Sequence, residues 1–210
     1  MSTLADLAPP GGWRPADERL MPLPREQQGA GLRLFLWLAG KWARRRTGSD
    51  RVPLVFLLMM RNKRLFRAWL RFAARFMPYG TIGRRNAELV ILRVGWNCRC
   101  RYEWGQHVRI GRRVGLSVAD IVRVTRGPEA EGWQETQALL LRAADELHAD
   151  RVISEATWQA LGEHYSPAQL IEITLLAGHY EMLAGLLNSA GLPLEPETEA
   201  ELATLRIEGS

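Results

Sequence analysis

Between Arg84 and Val94 the spacing predicts a helix, and Leu89, Val90, Ile91 and Leu92 leave it apolar almost all round. Such a helix has no face to offer water and has to be enclosed by neighbours. Those neighbours read as helices too, because the chain after Gly31 carries helical punctuation and no convincing strand alternation. The expected fold class is all-α, a helical bundle with an extended N-terminal arm.

The punctuation divides the chain. Residues 1–29 hold Pro9, Pro10, Pro15, Pro22 and Pro24 with Gly11 and Gly12, an extended arm that wraps the body or a neighbouring subunit. Residues 30–196 form one helical domain. Leu32–Arg46 carries an apolar stripe at Leu34, Phe35, Leu38 and Trp42, Thr47–Asp50 is a loop, and Pro53 opens Leu54–Asn62. Lys63–Met77 is basic and amphipathic, with Leu65, Phe66, Trp69, Leu70, Phe72, Ala73 and Phe76 expected inward, and Pro78–Gly83 breaks it. Gly95-Trp96-Asn97 is expected to interrupt the central helix, with Asn97 capping the next one, Cys98–Val114, which Gly115 closes. Ser117 and Asp120 have capping-box spacing. Further helices are expected over Trp133–His148, after Ser154, and from Ser166-Pro167 to Ser189, ended by Gly191 and Pro193. Residues 197–210 read as a loosely held acidic tail.

With 210 residues, 47% of them hydrophobic, the chain is long enough to bury a core as a single domain. No uninterrupted apolar run reaches the length of a membrane span, the N-terminus lacks the pattern of a secretory signal, and two cysteines two residues apart make no disulfide framework. A cytoplasmic protein without membrane partners is expected. The net charge of +5 conceals a polarity. Residues 30–85 hold fourteen Lys/Arg and one acid, while residues 128–210 hold three Arg and fifteen acids. A basic face running through Lys41, Arg44–Arg46, Arg61, Lys63, Arg64, Arg67, Arg71 and Arg75 could bind nucleic acid or acidic lipid. Mutual neutralisation of the two halves, within or between subunits, is the favoured explanation, so nucleic acid is the disfavoured partner.

The chemistry is concentrated on Cys98–Val114. On a helix Cys100, Glu103 and His107 fall at i, i+3 and i+7 and share a face, with Glu103 placed at i,i+4 to orient His107. The helix dipole and Arg99 and Arg101 would favour a Cys100 thiolate. Cys98 points about 200° away from Cys100 on a regular helix and stands as a secondary thiol. Glu88, alone among apolar neighbours, needs a partner or a raised pKa, both common at catalytic sites. No cofactor is implied, and Cys-x-Cys on one helix suits a tetrahedral metal site poorly, so no metal is expected.

The segment RRNAELVILRVGWNCRCRYEWGQHVRIGRRVGL, residues 84–116, resembles the core motif of the carboxymuconolactone decarboxylase and alkylhydroperoxidase-D superfamily. The resemblance continues through LLLRAADELH and ISEATWQAL to HYEMLAGLLNSAGLPLEP. It implies an AhpD-like helical bundle, homo-oligomers and a small-molecule substrate. The hydroperoxidase pattern of Glu, eleven residues, Cys-x-x-Cys, three residues and His carries over to Glu88, Cys100 and His107. Glu103 stands where that pattern has its second cysteine. The decarboxylase branch has Glu-x-x-x-His on this helix, which Glu103 and His107 match.

Three readings follow. The first is a peroxiredoxin-type oxidoreductase reducing a hydroperoxide, with Cys100 as nucleophile, Glu88, Glu103 and His107 as proton relay, and Cys98 or an external thiol as reductant. The second is a lyase or isomerase acting on a carboxylated lactone through Glu103 and His107. The third is a non-catalytic helical module with a basic face.

Overall fold

The computed structural model describes residues 2–29 and 52–207. The expected helix Leu32–Arg46, the loop Thr47–Asp50 and the basic residues Lys41 and Arg44–Arg46 lie outside them. Among the described residues the fold is helical, and pairing of the strand kind is confined to one bridge between Thr3 and Arg206. In chain order the helices are α1 (Leu54–Met59), α2 (Lys63–Ala73), α3 (Arg84–Asn97), α4 (Arg101–Arg113), α5 (Val118–Arg126), α6 (Glu135–Asp150), α7 (Glu155–Gly162), α8 (Pro167–Ala190) and α9 (Pro196–Thr204).

The all-round apolar helix is the centre, as its composition requires. α3 packs against α4, α5, α6 and α8, and its Leu89, Val90, Ile91, Leu92 and Val94 are at most 1% exposed. Burying each contributes about 1.5–3 kcal/mol. The caps agree with the sequence at Ser117–Asp120, at Ser154 and at Ser166 with Pro167, where the serine side chain accepts the N–H that the helix start leaves unpaired. α8 is long and apolar enough by composition to cross a membrane, yet half of that stretch is buried inside the protein. It also carries Glu172, His179 and Glu181, so it reads as a core helix.

Four expectations need correction. Gly95-Trp96-Asn97 does not interrupt the central helix; α3 runs through Asn97. A glycine within a helix costs about 1 kcal/mol relative to alanine, and here it serves a crossing. A Cβ on Gly95 would lie 3.4 Å from the Trp104 nitrogen and 3.5 Å from a Glu103 carboxylate oxygen, so α4 passes closely there. The chain reverses instead at Cys98-Arg99-Cys100, with Arg99 left-handed at φ 56° and Cys100, not Asn97, as the N-cap of α4. Asn97 instead donates to Asp145, which also pairs with Arg93. On α2, Phe66 and Trp69 are buried but Leu65 and Phe72 are exposed, because the bundle covers only one side of that helix.

The last correction concerns the tail. Residues 196–204 form α9, which packs on α4, buries Leu202 completely, and pairs Glu199 with Arg101 and Glu201 with Arg109. Acidic residues of the C-terminal half thus pair with Arg93, Arg101 and Arg109 of the middle of the chain, and with Arg142 and Arg151 of their own half. Arg64, Arg67, Arg71 and Arg75 lie on the exposed side of the α2 segment. The arm wraps its own body. Its backbone donates from Arg14 to Arg99, from Glu18 to Gly191, from Leu20 to Ala190 and from Leu23 to Leu57. Gly191, at φ 67°, closes α8 where a Cβ would meet the Glu18 nitrogen at 2.6 Å, so glycine answers both the turn and the crossing arm.

Candidate active site

Glu88 on α3 and His107 on α4 face each other across the central helix pair. Nδ1 of His107 is 2.7 Å from Oε2 of Glu88, with Glu88 fully buried and His107 nearly so. A carboxylate only accepts, so in this bond the Nδ1–H of His107 donates to Glu88 and Nε2 is left outside it. Arg84, one turn earlier on α3, stands 3.8 Å from the other Glu88 oxygen. The ring of Tyr180 on α8 meets His107 edge to face at 5.0 Å. The residue that orients His107 is therefore Glu88; the i,i+4 spacing had suggested Glu103.

Glu103 occupies the Gly95 crossing, 2% exposed, with neither carboxyl oxygen hydrogen-bonded. Burial, and then the charge of Glu181, push its carboxyl well above the usual range, which favours the protonated form. Cys100 is buried at the start of α4. Burial and Glu103 raise its thiol, while the amides of Glu103 and Tyr102 pull the other way without prevailing. The two neighbouring arginines do not stabilise a thiolate. Arg99 donates to the carbonyls of Gly11 and Gly12 in the arm, and Arg101 goes to Ala5, Glu199 and the face of Trp13. The side chain that the helix-dipole argument needed for the thiol is in each case spent on tying down the arm.

Cys98, two residues away, is half-buried, and burial followed by Glu181 and Glu103 pushes its thiol up to about 12. Both cysteines are free. A small pocket of about 100 Å³ is lined by Cys100, Arg101 and Tyr102 together with arm residues Trp13–Ala16 and Leu187, Leu192 and Leu194. The arm is thus a wall of the space next to Cys100.

Sequence reasoning missed Tyr180 and His179. Tyr180 is buried, and burial followed by the charges of Glu88 and Glu103 raises its hydroxyl. His179 packs beside Trp69 and Phe76, and burial and then His107 pull it down to about 4, which keeps it neutral. The signal was present as His179-Tyr180-Glu181, three polar groups inside the apolar run of α8. Helices α3, α4 and α8 thus bury a hydrogen-bonded imidazole–carboxyl pair, a second carboxyl and a phenol, with the Cys100 thiol at the start of α4.

Residues 63–146 match the carboxymuconolactone decarboxylase family. Several solved structures share the fold. One is the debrominase Bmp8, in a cysteine-to-alanine variant bound to 2,3,4-tribromopyrrole, with 16% identity and a TM-score of 0.72 over 89% of this chain and 96% of that one. Another is an uncharacterised peroxidase-related protein from Ralstonia eutropha JMP134, described as an alkylhydroperoxidase AhpD core. It has 20% identity and a TM-score of 0.71 over 86% of this chain and 94% of that one. A third, an uncharacterised peroxidase-related protein from Silicibacter sp. TM1040, has 17% identity and a TM-score of 0.71 over 89% and 94%. No curated protein matches the chain.

Proposed function

The chain belongs to the carboxymuconolactone decarboxylase and alkylhydroperoxidase-D-like superfamily, and from that membership we propose that it is a thiol-dependent, peroxiredoxin-type oxidoreductase with Cys100 as the reacting residue. The observation that carries the reading is the buried Glu88–His107 pair at 2.7 Å, with Tyr180 edge to face on the imidazole and the Glu103 carboxyl acting on the Cys100 thiol by its charge. In the catalytic step the thiol proton passes through intervening water to the free nitrogen of His107, which Glu88 holds. The sulfur attacks a hydroperoxide oxygen, an S–O bond forms, the O–O bond breaks, and neutral Glu103 protonates the departing alkoxide. Cys100 is left as a sulfenic acid and the peroxide is reduced to an alcohol. Return of the proton from His107 to Glu103 resets the relay. Two equivalents of an external thiol then restore Cys100, releasing water and a disulfide. The raised thiol explains why a dedicated base is needed here: the resting cysteine holds its proton.

Stopped-flow mixing of the reduced protein with cumene hydroperoxide tests this reading. A fast phase in the wild type that Cys100→Ser abolishes is expected; equal slow consumption by both proteins refutes it. The lyase reading needs Glu103 and His107 as an acid–base pair, and the hydrogen bond of His107 to Glu88 disfavours it. A homo-oligomer is also proposed, supported by exposed apolar residues Leu65 and Phe72 on α2 and Ile171, Leu175 and Met182 on α8. Sedimentation equilibrium would return a monomer mass if that surface is idle. The free thiols support a cytoplasmic location.

A further inference from the structure

Away from the Cys100 pocket, three ligand-type side chains converge from three core helices. Cys98 ends α3, His148 stands in the last turn of α6, and Glu181 lies in α8. Sγ of Cys98 is 3.8 Å from Nδ1 of His148, which is 2.6 Å from Oε1 of Glu181. One ligand atom from each of the three lies within 4.8 Å of the others. The supports are built in as well. Asn188 donates to the Cys98 carbonyl at 2.9 Å, and Arg151 holds the second Glu181 oxygen. All three ligands are partly exposed, so an ion has access.

A thiol–imidazole–carboxylate relay uses both ring nitrogens, one for the thiol and one for the carboxylate. Here a single nitrogen, Nδ1, faces both, so the cluster does not fit a relay. It does fit ligation, in which that nitrogen, the sulfur and one carboxylate oxygen point at a common centre.

We propose that Cys98, His148 and Glu181 form a binding site for a zinc-type divalent cation, with a fourth position open. Thiolate, imidazole and carboxylate together are a donor set for a borderline-soft ion and exclude magnesium or calcium. With zinc bonds of about 2.3 Å to sulfur and about 2.0–2.1 Å to nitrogen and oxygen, tetrahedral ligation needs S···N of about 3.6 Å and N···O of about 3.3 Å. The first separation is already met within a few tenths of an ångström, and the second requires His148 and Glu181 to part by about 0.7 Å. Binding sends the Cys98 proton to solvent and leaves His148 protonated only on Nε2.

Reduced, chelator-stripped full-length protein titrated with Co²⁺ provides the test. A thiolate-to-cobalt charge-transfer band saturating at one equivalent is expected in the wild type and in Cys100→Ser, and is absent from Cys98→Ser. Zn²⁺ competition should return an affinity at least tenfold weaker in His148→Ala and in the near-isosteric Glu181→Gln, with circular dichroism confirming that each is folded. No band in the wild type, a band that survives Cys98→Ser, or one that disappears in Cys100→Ser overturns the proposal. None of these results depends on turnover of peroxide, so the site stands or falls apart from the Cys100 chemistry.

Discussion

Trp13→Ala removes the anchor by which the arm holds the site region. The indole sits edge-on to Trp96 at 5.4 Å and against Trp104 at 6.0 Å, beneath the Arg101 guanidinium at 5.4 Å, and its Nε1 donates to the Leu7 carbonyl at 2.9 Å. Two aromatic contacts contribute about 0.5–1.5 kcal/mol each, the cation–π contact about 0.5–1 and the hydrogen bond about 1. These do not add fully for a half-buried side chain, so a loss of about 3 kcal/mol is expected. At this chain length the midpoint of thermal unfolding falls by roughly 6–12 °C. A loss confined to the arm also raises its open population about 100-fold. Because Trp13–Ala16 line the pocket beside Cys100, alkylation of Cys100 by iodoacetamide, followed by peptide mass spectrometry, should accelerate by up to that factor. Cys98, outside the pocket, serves as the internal control. A midpoint shift below about 1 °C together with an unchanged Cys100 rate would refute the assignment of the arm as a cover.

Other outcomes follow from the same geometry. Glu88→Gln keeps the shape but loses the charge-assisted hydrogen bond to His107, so kcat/KM for an organic hydroperoxide should fall about 10- to 100-fold with the fold intact by circular dichroism. Gly95→Ala should change stability by no more than about 1 kcal/mol, since helix propensity offsets a tight contact, while Gly95→Val should cost about 1–3 kcal/mol in urea unfolding. Leu202→Ala should cost about 2–5 kcal/mol, a result a loose tail could not give. For Asp120, burial pushes the carboxyl up, but the amide and hydroxyl of Ser117 together with Arg85 and Arg123 outweigh it and hold the group below the usual range. Its ionised form therefore stabilises the fold above the unfolded-chain value near 3.9, and that contribution is lost as pH falls through the lower folded value. The stability gap to Asp120→Asn, about 1 kcal/mol at pH 7, should accordingly close in acid.

The fold was legible where the signal is local. Leu89–Leu92 demanded an enclosed helix, and Ser117, Ser166 and Gly191 marked helix ends because capping is decided by residues within one turn. It was not legible where glycine has two uses. Gly95 reads as a breaker in sequence, and only the crossing of α4 shows that its missing side chain serves packing. The acidic tail was misread for a related reason: its helix draws stability from Arg101 and Arg109, nearly a hundred residues away. At the site, the family spacing selected Glu88, Cys100 and His107, and two of these share a hydrogen bond. The partner assigned to His107 was wrong because i,i+4 spacing describes one helix, while the imidazole chose a neighbour on another. Tyr180 was marked only by the polar run His179-Tyr180-Glu181 inside apolar α8, and His148 was invisible, since nothing local distinguishes a polar residue on α6 that faces Cys98 from one that faces solvent.

The bridge between Thr3 and Arg206, with Leu4 donating to Leu205 and Ile207 to Ser2, has a consequence for connectivity. Once the two ends of the described chain lie side by side, the order in which the helices are strung is only one of several that yield the same packing. A short peptide could join the ends and fresh termini be opened in the turn at 163–165 between α7 and α8, giving a circular permutant with the same contacts. Anything appended beside that bridge emerges at the same place, next to α9. The covering arm would then be fastened at both of its ends, and it could open only by bowing outward.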